Sequence, residues 1–116
     1  YNLENMVTGA VLSTSSTSKV TNLIKNDVGL FNAAKAMGKD KNLQKEANGL
    51  VQKYLGGNKN PGKGTKSLTS SISYLRGNSG SRVFFRMKGN QMQVLAKSNK
   101  ANEQKVIDIL KKNYGE

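Results

Sequence analysis

Between Ala47 and Asn102 the chain has no Asp and no Glu, yet it holds ten Lys/Arg: Lys53, Lys59, Lys63, Lys66, Arg76, Arg82, Arg86, Lys88, Lys97 and Lys100. A small fold built on such a segment must carry charges that repel one another with no internal neutralisation. That arrangement serves to attract a polyanion, and phosphate backbones are the commonest one. The bland alternative is a basic solvated surface. The seven acids of the chain, Glu4, Asp27, Asp40, Glu46, Glu103, Asp108 and Glu116, all lie outside the window. Residues 1–58 hold seven bases and four acids, and residues 59–116 hold twelve and three, so most of the net charge of +12 belongs to the second half.

Composition narrows the chemistry. There is no Cys and no His, which removes the thiolate nucleophile, the commonest general acid/base and the commonest metal ligand. Carboxylates so scattered are a poor metal cage, and without Cys or His zinc is effectively excluded. Neither a metal nor a cofactor is expected. Proton transfer and charge stabilisation fall to Lys, Arg, Tyr, Ser, Thr or backbone groups. No stretch approaches the roughly 20 apolar residues of a membrane span, and Met6–Leu12 lacks the basic flank of a signal peptide. At 116 residues with 35% hydrophobic content, a single domain with one modest core is expected. The opening residue, Tyr1, suggests a segment of a longer protein.

The hydrophobic period changes once along the chain. Met6–Leu12 suggests a short helix, and Ser13–Ser18 a loop. Val20, Ile24, Val28 and Phe31 then recur at helical spacing, with Leu23 beside them. This predicts a helix from Lys19 to Gly38, capped by Thr17 or Ser18. A second helix is expected after Asp40, with Leu43, Ala47, Leu50, Val51 and Tyr54 on one face and Gly56-Gly57 as its stop. Beyond the Gly- and Lys-rich run 56–66 the period becomes two. Strands are expected over Leu68–Leu75, Arg82–Lys88 and Gln91–Ser98, with Gly77–Gly80 and Gly89-Asn90 as turns. Asn99 or Asn102 caps a last helix carrying Val106, Ile107, Leu110 and Tyr114. The expected class is α+β: helices in residues 1–58 packed on a small twisted antiparallel sheet in residues 59–116, with a C-terminal helix. Strict alternation puts Val83, Phe85, Met87, Met92 and Val94 on the core face. It leaves Arg82, Arg86, Gln93 and Lys97 on a half-open face. Like charges side by side on neighbouring strands are unfavourable, which points to an anionic visitor.

Several groups suit phosphate chemistry. Gly57–Lys63 reads G-x-x-x-x-G-K, but Gly64 stands where a P-loop needs its hydroxyl, and the run follows a helix. A weaker role remains: loop N–H groups with Lys63, Thr65 and Lys66 cradling one phosphate. The alternative is a flexible connector. Arg82 and Arg86 share one strand face, and Arg76 ends the preceding strand. Guanidinium groups match phosphate oxygens and the extra charge of a pentacoordinate phosphorane; a solvated face is the alternative. Tyr74 suits base stacking or proton donation, and Phe84 suits stacking, against plain core packing for both. Lys97, Ser98 and Lys100 lead into the last helix. They are read either as proton-exchanging and phosphate-binding groups or as a helix cap.

The runs GTKSL (64–68), YLRG (74–77), SRVFFR (81–86), GN (89–90), VLAKSNK (94–100) and QKVI (104–107) together resemble the barnase/EndoU/colicin/RelE superfamily of ribonuclease toxins. They are particularly like RelE-type and CdiA-type toxin C-terminal domains of bacterial contact-dependent competition. The resemblance covers residues 59–114. It implies a metal-independent endoribonuclease in which the substrate's 2′-OH attacks the adjacent phosphate, leaving a 2′,3′-cyclic phosphate. Lacking His, the chain is similar to the members that rely on Lys, Arg and Tyr. By position, Arg82 and Arg86 would neutralise the scissile phosphate and Lys97 would serve as base. Tyr74 would stack or donate a proton, and Lys63, Thr65 and Lys66 would line a phosphate loop. The implied partners are RNA, foremost tRNA, and a cognate acidic immunity protein. The implied setting is delivery by a larger secreted or cell-surface protein into the cytoplasm of a target bacterium, as a monomer when free. The rival expectation is a non-catalytic basic RNA- or DNA-binding domain.

Overall fold

Residues 20–115 are described by a computed structural model; the expected first helix, the Ser/Thr loop and the caps Thr17 and Ser18 lie outside them. The described chain is α+β, with three α-helices and a five-stranded mixed sheet. In chain order the elements are β1 (Val20–Asn22), a 3-10 turn (Ile24–Asn26), α1 (Val28–Gly38), α2 (Lys41–Leu55) and β2 (Thr65–Ser67). They continue with β3 (Ser73–Arg76), β4 (Arg82–Lys88), β5 (Gln91–Ser98) and α3 (Glu103–Tyr114). The sheet order is β1-β5-β4-β3-β2. β2 to β5 form an antiparallel meander, and β1 joins its far side parallel to β5. No helix among the described residues is long and apolar enough to cross a membrane.

α2 forms as its sequence predicts. The Asp40 carboxylate accepts from the N–H groups of Asn42 and Leu43, satisfying donors that have no partner within the helix. Leu43, Ala47, Leu50 and Val51 are buried on one face. The expected helix from Lys19 is corrected. Val20–Asn22 pairs with Met92–Val94 as a strand, and Asn22 Oδ1 accepts from Ile24 N–H to turn the chain. Asp27 is the true cap of α1, its Oδ1 accepting from Leu30 N–H at 3.0 Å. Its carboxyl is held below the usual range by the Asn113 side-chain amide, then by that N–H. Val20 and Ile24 are buried as expected, but from a strand and a 3-10 turn. The buried face of α1 is Leu30, Ala33, Ala34 and Met37, while Val28 is 76% exposed.

The single strand expected over Leu68–Leu75 is two strands. Thr69 Oγ1 accepts from the N–H groups of Ser71 and Ile72, and Leu68 and Thr69 both donate to Ile72 O. These local bonds outcompete a straight ladder and fold Leu68–Ile72 into the turn between β2 and β3.

β4 and β5 are found where the alternation places them, but their pairing slips once. Phe84 faces Ala96 while Phe85 faces Val94, leaving Leu95 as a bulge residue on β5. An inserted residue reverses every side chain beyond it. One face of the sheet therefore carries Leu75, Val83, Phe85, Val94 and Met92 together with Lys97. α2 covers that face, with the Tyr54 ring edge-on to Phe85 at 5.0 Å. The other face carries Tyr74, Arg76, Arg82, Phe84, Arg86, Gln93, Ala96 and Ser98. α3 lies along that face, where Tyr114 meets Arg86 and Glu103 meets Arg82. α1 packs against β5 and touches both other helices. With helices on both sides, Val83, Phe84 and Phe85 are all buried. The half-open face expected from alternation is thus covered by α3 along β4 and partly open beyond it, and Met87, expected in the core, is corrected: it lies next to the end of β4 and is 39% exposed.

Glu46 fastens α2 to the β3–β4 turn. Its carboxylate accepts from Ser79 N–H at 2.8 Å, from Ser81 N–H at 3.2 Å and from the Ser81 hydroxyl at 2.5 Å. Burial alone would raise its pKa, but the Ser81 hydroxyl and the two N–H groups bring it below the ordinary value. A Cβ on Gly77 would collide with this carboxylate and with the Ser81 hydroxyl, so a side chain there would break the bond between them. A carboxylate whose pKa is lower in the folded state stabilises the fold above its unfolded pKa. That stabilisation is lost as pH falls through the folded value. We expect Glu46→Gln to cost about 1–3 kcal/mol at pH 7, read from urea midpoints. The gap between variant and wild type should close as pH falls below the usual carboxylate range. Gly77→Ala should destabilise at every pH.

Candidate nucleic-acid interface

Where β3 ends, β4 begins and β5 ends, three side chains stand in one row on the α3-facing side. Arg76 is opposite Arg82, and Arg82 is opposite Ser98. Directly opposed strand residues place their Cβ atoms about 5 Å apart, so the two arginine side chains leave the sheet as neighbours. A carboxylate meets one of them: Arg82 Nε lies 3.2 Å from Glu103 Oε2, with the two side chains 12% and 25% exposed. Arg82 also donates from Nη1 to Ser81 O at 3.3 Å. Arg76 Nε, Arg82 Nε and Ser98 Oγ are buried and make no hydrogen bond among the described residues, the contact of Arg82 Nε with Glu103 being an ion pair only. Buried polar groups are rarely left unpaired. Three such atoms in a row that also holds two like charges make it the candidate anion site of this face. A Cβ on Gly80 would lie 3.4 Å from the aliphatic part of Lys100, which places that side chain beside the adjoining turn.

Next to this row the face stays partly open over β2 and β3. The Tyr74 ring lies tilted at 32° on Phe84, centroids 5.0 Å apart, and is only half-buried. Lys66 stands opposite Tyr74 on the edge strand and is exposed. Tyr74 is therefore available to a planar partner. Phe84, expected as a stacking platform, is instead fully buried beneath it.

The other expected residues are placed differently. Lys97 does not join the arginines. The bulge at Leu95 turns it to the α2 side, where it is fully buried with Nζ 3.4 Å from Gln44 Oε1. Gln44 in turn donates to Asn48 at 3.1 Å. Lys97, expected as a base beside Arg82, is thus placed on the opposite face of the sheet. Arg86 keeps the arginine face but is engaged there. It donates from Nε to Gln93 Oε1 at 2.7 Å and stacks over Tyr114 at 5.0 Å.

The Gly- and Lys-rich loop is no open cradle. Thr65 donates its hydroxyl to Lys59 O and its N–H to Asn60 Oδ1. Asn60 N–H goes to Asn58 Oδ1, Lys63 N–H to Arg76 O and Gly64 N–H to Pro61 O. Gly62, at φ 61°, lies so close to Arg76 O that a Cβ would clash. The loop's donors thus hold the loop to the end of β3. What remains for a phosphate is the exposed side chains of Lys63 and Lys66.

Glu103 was not among the residues the sequence singled out. Its signal was its position, as the first acid after the acid-free window. Comparison with known proteins adds no neighbour: no family model, no curated protein and no solved structure matches the chain significantly.

Because Lys97 is a core residue, we expect Lys97→Ala to lower stability by about 2–4 kcal/mol through loss of its packed stem, measured by urea denaturation. Lys97→Met, which keeps that volume, should lose markedly less. Neither variant should weaken oligonucleotide binding once folded.

Proposed function

We propose that this chain is a metal-independent ribonuclease domain that engages RNA on the face carrying Lys66, Tyr74, Arg76 and Arg82. The observation that carries the reading is the row Arg76–Arg82–Ser98, two arginines paired across neighbouring strands and a buried hydroxyl, with one carboxylate on Arg82. Such a row suits a phosphodiester in the ground state and, more strongly, the phosphorane formed when a 2′-OH attacks phosphorus. In that step the 2′-oxygen bonds to phosphorus and its proton passes to a base. The bond to O5′ breaks, and O5′ leaves with a proton from solvent. Glu103, beside Arg82, is the base this geometry offers in place of Lys97. Tyr74 stacks a neighbouring base, and Lys66 meets the backbone beyond it. tRNA is the substrate that the toxin resemblance favours. An acidic immunity protein covering this basic face would complement its charge.

A second reading, a non-catalytic RNA-binding domain, is favoured by the burial of Lys97. The two part in one experiment, in which total tRNA is incubated with the domain in EDTA, run on a denaturing gel and analysed at its ends. The ribonuclease reading expects discrete fragments ending in cyclic phosphate. It also expects Arg76→Ala and Arg82→Ala each to slow cleavage by about 10²–10³-fold with the fold intact by circular dichroism. Intact RNA, bound in a salt-sensitive manner, would replace it with the binding reading.

A further inference from the structure

α2 stops before the sheet does. Gly56 and Gly57 end the helix after Leu55, while β4 continues to Lys88 and the hairpin turns at Gly89-Asn90. Tyr54 covers Phe85. Met87, two residues further along the same strand face, lies beyond the helix and is 39% exposed. The space left there is a cavity of about 340 Å³ lined by Leu55, Lys59, Met87 and Asn90, within the size range of ligand sites. Lys59 Nζ is held over the Tyr54 ring, 4.4 Å from its centroid, and forms no ion pair among the described residues. All four lining residues fall inside the acid-free window, so none of them supplies a carboxylate to neutralise it.

We propose that this cavity is a docking site for an acidic protein segment, one that presents an apolar side chain next to a carboxylate. The apolar side chain fills the space between Leu55 and Met87, whose flexible thioether adapts to the shape offered. The carboxylate reaches Lys59, and the Asn90 amide offers a donor and an acceptor to the backbone of the segment. Charge decides the sign of the partner, and shape decides its class. A nucleic acid would need a flat face for its bases. Leu55 and Met87 give none, and the Tyr54 ring beside them is taken up by Lys59 and Phe85. The cavity opens on the α2 side at the hairpin end of β4, whereas the arginine row stands on the α3 side at the other end. A partner seated here leaves the row free, so the inference does not depend on the ribonuclease reading.

The test uses three acetylated and amidated hexapeptides, DDLFDD, NNLFNN and DDSSDD, titrated at low salt into protein with isotope-labelled methionine methyl groups. We expect DDLFDD to shift the Met87 methyl resonance saturably while that of Met37, buried on α1, stays in place. The other two peptides should bind about tenfold more weakly, one for want of charge and the other for want of an apolar group. Lys59→Gln should weaken DDLFDD about fivefold and leave NNLFNN unchanged, and Met87→Gln should weaken DDLFDD about tenfold, both read from the anisotropy of a fluorescent peptide. Both side chains are exposed, so both variants should keep the wild-type melting temperature and nearly the wild-type affinity for a hexadeoxynucleotide. An unmoved Met87 methyl overturns the inference. So does DDSSDD binding as tightly as DDLFDD, which would mean attraction to basic surface in general. NNLFNN binding as tightly would leave an apolar cavity with no preference for acid and overturns it as well. Displacement of DDLFDD by the hexadeoxynucleotide would put the peptide on the arginine row, with the same consequence.

Discussion

The slip between β4 and β5 at Leu95 decides which side chains meet. One extra residue on β5 reverses Ala96, Lys97 and Ser98 relative to the rest of the strand. It sends a lysine into the core beside Gln44 and brings a serine hydroxyl beneath the arginine row. Without the bulge the sheet would show Arg82, Arg86 and Lys97 on one surface, which is the arrangement strict alternation implies. With it, the basic face is built from Arg76, Arg82 and Ser98, and its third cation is replaced by a hydroxyl. The bulge also leaves Leu95, Ala96 and Val94 all buried, where β5 packs against α1 and α3.

The acid-free window acquires a structural meaning at the end of the sheet near the β3–β4 turn. The two acids that border it, Glu46 and Glu103, are brought to that end on opposite faces. Glu46 holds the turn through Ser79 and Ser81. Glu103 meets Arg82 from the start of α3. One fixes the backbone that presents the arginines, and the other sets their net charge. Between them the chain avoids acids, so no carboxylate from the sheet itself competes for the row. The Gly-rich loop adds support from below, since its N–H groups are spent on its own closure and on Arg76 O.

The parts legible in the sequence are those where local chemistry agrees with tertiary packing. Asp40 and the apolar face of α2 are one case, the Gly89-Asn90 hairpin another, and the extent of β4 and β5 a third. The errors arise where two structures share one pattern. Val20 and Ile24 recur at i and i+4, which a helix and a strand followed by a 3-10 turn both satisfy once β5 offers an edge. Leu68–Leu75 alternates, but hydroxyls at Thr69–Ser71 hold local bonds that alternation does not register. The bulge is the least legible feature, because Val94, Leu95 and Ala96 are all apolar and the strand reads equally well in either phase. For the site, Tyr74, Arg76, Arg82 and Ser98 were identifiable from residue type, while Lys97 was misplaced by the phase error. Glu103 was hidden because an acid at the start of a helix reads as ordinary capping chemistry.

The central claim is that an anion enters the row formed by Arg76, Arg82 and Ser98. The most direct measurement is NMR of the arginine Nε–Hε resonances during titration with a single-stranded hexadeoxynucleotide in EDTA. The account predicts that Arg76 and Arg82 shift together and saturably, with Arg86, already bonded to Gln93, moving little. Unmoved Arg76 and Arg82, with shifts spread instead over the helix lysines, would contradict it.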